Sequence, residues 1–158
     1  MHTARLILLV LALFSLNAQA APNAPWDTAP VITKEYSKQK VVYDVAVKDV
    51  AALTSVLDRA SHLSLLNGAD PFDSKIVIVL HGGEIPFFAI KNFAKYKDLM
   101  TRAQSLSVGG VIEFRMCRLA AQGQGFKPAD IHGFVSMVPM ADAEIVRLQQ
   151  EENFGYVQ

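Results

Sequence analysis

From Val41 onward the chain alternates between two hydrophobic periods. "VVYDVAV" (Val41 to Val47) is rich in β-branched residues and predicts a strand. Asp49 then stands where a helix cap is needed. Behind it Val50, Leu53, Val56, Leu57, Ala60, Leu63 and Leu66 recur every three or four positions, the period of one helix face. Asn67-Gly68 supplies the usual helix stop. In "KIVIVLHGG" the unbroken apolar run Ile76 to Leu80 predicts a strand buried on both faces.

The helical period returns from Phe87 to Leu106, with Pro86 fit only for a first turn, and Gly109-Gly110 ends it. "VIEFRM" (Val111 to Met116) predicts a third strand, "RLAAQG" a short helix and "GFVSMV" (Gly133 to Val138) a fourth strand. Pro139 opens a last helix through Ile145, Val146 and Leu148, and "FGYV" reads as a small closing strand. Strand and helix alternate four times. The economical architecture is α/β: a single-domain, open, mostly parallel sheet flanked by helices, over residues 41–158.

The first forty residues follow another logic. Arg5 precedes the apolar run Leu6 to Leu16, and Ala18-Gln19-Ala20 has the A-x-A form of a cleavage site. This predicts a signal peptide over residues 1–20 and a periplasmic or secreted protein beginning at Ala21. The run is too short for the roughly 20 residues that cross a bilayer, so no membrane association is expected after cleavage. Residues 21–40, interrupted by Pro22, Pro25 and Pro30, read as an extended lead-in.

Charge narrows the partners. The whole chain carries 15 basic and 15 acidic residues, and the signal removes only Arg5 from this balance. No basic field or run of like charges is present to attract a phosphate backbone, so nucleic acid is not expected as a partner.

The chain has one cysteine, Cys117. Exported proteins usually pair their cysteines, and an unpaired one points to an intermolecular partner or a free reactive thiol. Cys117 lies where a strand hands over to a helix, with Arg115 and Arg118 beside it, and ligands of open parallel sheets gather outside the carboxyl ends of the strands. There the thiolate, the nucleophilic form, would be favoured. The bland alternative is a buried cysteine that fills space. His81 ends the preceding strand. If the two strands are neighbours, its imidazole can stabilise the thiolate or shuttle a proton; otherwise it simply bonds its own loop. Gly82-Gly83 offers backbone N–H groups for an anion, together with Arg118, although a tight turn uses the same residues.

Other chemistry finds little support. His62, His81, His132 and Cys117 show no metal-site spacing. Neither G-x-G-x-x-G, a Walker loop nor G-x-S-x-G occurs, so no nucleotide site, cofactor or hydrolase of that kind is expected.

The segments "KVVYDV", "IVIVLHGG", "IEFRMCRLAAQGQGF" and "EIVRLQQEENFGYV" resemble, in order and spacing, the DsrE/DsrF-like family of sulfur-relay proteins. The resemblance spans about Lys40 to Val157. It implies a compact α/β fold that assembles into homo-oligomers, and a cysteine that in several members carries sulfur as a persulfide. Carried across, that cysteine matches Cys117 and the turn beside it matches His81-Gly82. Cytoplasmic members hand sulfur to cytoplasmic proteins, which an exported chain would not meet, so its donor and acceptor would be others. Two functions are therefore expected: a sulfur carrier or sulfurtransferase-like protein acting through Cys117, or a non-catalytic binding and assembly module of the same fold with an inert, buried cysteine.

Overall fold

The computed structural model describes Pro25, Trp26 and residues 28–158. The expected signal peptide and its cleavage site lie outside these residues, as does the start of the lead-in. The chain divides into two units, Met1–Lys34 and Glu35–Gln158. Residues 28–39 contain neither helix nor strand, and among the described residues every regular element belongs to the second unit.

Five strands form one sheet: β1 (Lys40–Val45), β2 (Lys75–Leu80), β3 (Ile112–Cys117), β4 (Val135–Val138) and β5 (Gly155–Val157). Their order is β4-β3-β2-β1-β5, and all four pairings are parallel. The helices are α1 (Val50–Leu66), α2 (Lys97–Ser107), α3 (Arg118–Gly123) and α4 (Ala141–Glu152). The expected α/β architecture is therefore present, with a sheet parallel throughout.

Side-chain alternation sorts the sheet into two faces. On one face Val41, Tyr43 and Val45 of β1, Ile76, Ile78 and Leu80 of β2, and Ile112, Phe114 and Met116 of β3 form the larger core. Leu53, Val56, Leu57 and Ala60 of α1 and Leu99, Met100 and Ala103 of α2 complete it. Val42, Val77 and Val79 occupy the opposite face with Cys117, beneath Ala141, Ile145 and Leu148 of α4 and Phe154. Burying one such aliphatic side chain contributes about 1.5–3 kcal/mol, so both faces weigh in the fold. Central β2 is apolar on both, as its unbroken run predicts.

Local chemistry sets the helix ends. The Asp49 carboxylate accepts the Ala52 N–H at 2.8 Å and starts α1. Past its end Gly68 takes φ +74°, a left-handed conformation that glycine adopts without strain. Asp142 and Glu144 place negative charge in the first turn of α4, where the helix dipole favours it.

One expectation needs correction. Phe87 to Leu106 is not a single helix. The chain makes two short 3-10 turns, Ile85–Phe88 and Ile90–Asn92, before α2 begins at Lys97. Pro86 has no N–H to propagate a helix. The Asn92 side-chain amide donates to the Pro86 carbonyl at 2.8 Å and stabilises the bent path, while Phe87 and Phe88 turn into the core.

Candidate functional site at the strand carboxyl ends

Three successive strands bring Asp44, His81 and Cys117 to the same end of the sheet. β2 and β3 are neighbours, and Leu80 pairs with Met116. His81 and Cys117 each stand one residue further on, on the face that carries Val77 and Val79. Asp44 pairs with Val79 on the same face. The His81 N–H donates to the Val45 carbonyl at 3.1 Å and extends the ladder past the end of β2.

Cys117 is a free thiol with 5% of its surface exposed. Its Sγ accepts the Ala120 N–H at 3.4 Å and so caps α3, a helix of six residues. Val42, Val77, Val79 and the underside of α4 surround it. Arg115 shares its face but is committed elsewhere: it bonds Glu113 at 2.7 Å and also Glu144, which Arg147 holds as well. Arg118 points outward and is exposed.

The imidazole of His81 has a different neighbour from the one expected. Its Nε2 lies 2.5 Å from Asp44 Oδ1, and the Tyr156 hydroxyl of β5 donates to Asp44 Oδ2 at 2.6 Å. Among the described residues no hydrogen bond joins His81 to Cys117. Burial pushes the Asp44 carboxyl up, but the bonds from Tyr156 and His81 outweigh it and hold the carboxyl below its ordinary range. The hydrogen bond to Asp44 in turn raises the Tyr156 phenol. Sequence reasoning missed both residues, because their roles depend on β5 lying beside β1.

The first glycine of the pair is engaged within the protein. Gly82 donates its N–H to Glu84 Oε1 at 2.8 Å, and its carbonyl accepts from the Gln124 side chain at 2.9 Å. A donor so used is not offered to an anion. A Cβ on Gly82 would come within 2.5 Å of the Ala46 backbone, so the absent side chain permits a close approach of two loops. Glu84 joins these loops, since its other oxygen accepts the Val47 N–H at 2.9 Å. It is wholly buried, and burial raises its carboxyl despite the backbone donors around it.

The other histidines among the described residues lie apart. His62 is exposed on α1, and His132 sits between the rings of Phe93 and Phe134. Among the described residues no three metal-ligating side chains converge. No helix among them is long and apolar enough to cross a membrane.

This arrangement defines an α/β protein with polar and thiol side chains gathered at the carboxyl ends of a parallel sheet. It is similar in structure to MTH1491 of Methanobacterium thermoautotrophicum, described as a protein of unknown function. The match has a TM-score of 0.57 at 18% identity, over 76% of this chain and 98% of that one. At that identity the likeness shows the fold alone. No family model matches the chain, and no curated protein matches it.

Proposed function

We propose that this is an exported sulfur-handling protein that carries sulfane sulfur as a persulfide on Cys117. The observation that carries the reading is a free thiol at the carboxyl end of a parallel strand, one register step past the Leu80–Met116 pair and on the same face as His81. The resemblance to DsrE/DsrF-like sulfur-relay proteins supports it further. In the loading step the Cys117 sulfur attacks the terminal sulfur of a polysulfide or persulfide donor. One S–S bond forms, the donor's S–S bond breaks, and the thiol proton passes through the imidazole to the departing thiolate. No net oxidation occurs, so no further reagent is needed. Handing the sulfur to an acceptor thiol reverses these bonds. The protein works as a homo-oligomer with separate donor and acceptor proteins.

Mass spectrometry after polysulfide treatment tests the reading. Cys117 is expected to gain one sulfur mass that a Cys117→Ser variant does not. Equal uptake by that variant would end the proposal.

The 5% exposure of Cys117 favours a second reading, a non-catalytic binding or assembly module with an inert thiol. Iodoacetamide separates the two. A carrier is alkylated under native conditions faster than global unfolding allows, whereas an inert core thiol reacts only at the unfolding rate.

A further inference from the structure

We propose that Asp44 and Tyr156 are positioning residues that hold His81 with its proton on Nε2, leaving Nδ1 as the proton acceptor for the thiol site. This rests on the sulfur-handling reading above.

The tautomer follows from the hydrogen bonds. A carboxylate accepts and cannot donate, so at 2.5 Å from Asp44 Oδ1 the Nε2 atom must carry the hydrogen. The carboxylate is itself fixed, because Tyr156 donates to its second oxygen at 2.6 Å. In a neutral imidazole the proton on Nε2 leaves a bare lone pair on Nδ1. The brace draws on three strands: Tyr156 of β5, Asp44 of β1 and His81 at the end of β2. Cys117 of β3 continues the row on the same face. A carboxylate behind an imidazole that serves a nucleophile sets both its orientation and its tautomer, and stabilises the charge it gains.

Other groups around His81 leave the assignment intact. Glu84, in the loop after β2, is tied to the N–H groups of Gly82 and Val47. Arg115, on the same face of the sheet, is neutralised by Glu113 and Glu144. The His81–Asp44 pair is about three-quarters buried on each side, with side-chain exposures of 26% and 22%. It therefore keeps strength that a surface pair loses to solvent, while staying within reach of protons from water.

The test uses the mature exported protein with nitrogen-15-labelled histidine. The His81 ring is expected to show a protonated Nε2 and a bare Nδ1; a proton on Nδ1 instead overturns the proposal. In Asp44→Asn the ring loses the carboxylate that selects its tautomer, and the nitrogen-15 spectrum should show both tautomers in exchange. Sulfur loading on Cys117 should slow roughly tenfold in that variant, and less in Tyr156→Phe, a change on the exposed edge strand that keeps the carboxylate. Loading at the wild-type rate in a variant whose tautomer has changed overturns the positioning role. If Asp44→Asn does not fold, Tyr156→Phe alone decides, and a ring spectrum and loading rate both unchanged there count against the brace. Sulfur uptake by Cys117→Ser would defeat the carrier reading, while the ring spectrum would still report whether the brace exists.

Discussion

At the scale of single residues, Glu84 has the most unusual position: a carboxyl group with none of its surface exposed, held by backbone donors. Burial raises its folded value above the ordinary 4.5. A raised carboxyl favours the folded state most while it is protonated. Its contribution is complete below pH 4.5 and is lost as pH rises through the raised folded value. Glu84→Gln keeps the shape and removes the titration. Urea unfolding from acid to neutral pH should therefore show wild-type stability falling relative to the variant. Two curves that stay parallel would mean that Glu84 does not titrate in this range. The sequence offered only the adjacent glycines as a signal. Their role in bringing two loops together around a carboxylate depends on Ala46 and Val47, 36 positions before Gly82 and Gly83 in the chain.

At the scale of elements, most of the fold was legible. The capped helix after Asp49 and the apolar run of β2 lie where the pattern put them, because each is dictated by residues close in sequence. Asp49→Ala should cost about 1 kcal/mol through loss of the N-cap. The expected sign is a lower urea midpoint with an unchanged slope; an unchanged midpoint would show that α1 is held by its packing alone. The stretch before α2 misled because Phe87, Ile90 and Ala94 stand three and four positions apart, a spacing that suits a helix. Phe87 and Phe88 instead enter the core from a 3-10 turn. The brace on His81 could not be read at all. Tyr156 and Asp44 are 112 positions apart, and nothing local announces that the closing strand returns beside the first.

For the whole molecule, the first twenty residues bear on where it works. Export with cleavage after Ala20 predicts that amino-terminal sequencing of protein from the periplasm or medium reads Ala21 first. Recovery there with Met1 intact would refute cleavage. Location matters to the chemistry, because a lone thiol outside the cytoplasm meets oxidants and sulfur donors different from those inside.

The two-sided burial of β2 carries a cost in specificity. Where one side of a strand faces water, sliding it by a residue exposes its apolar set, and the error corrects itself. Here Val77 and Val79 on one side and Ile76, Ile78 and Leu80 on the other are equally at home in hydrocarbon, so greasiness alone does not fix the strand's phase. Phase is set at the tip, where His81 must meet Asp44 and Gly82 must slip past Ala46. The groups that would do the chemistry are thus also the ones that tell the middle of the sheet which way up to lie.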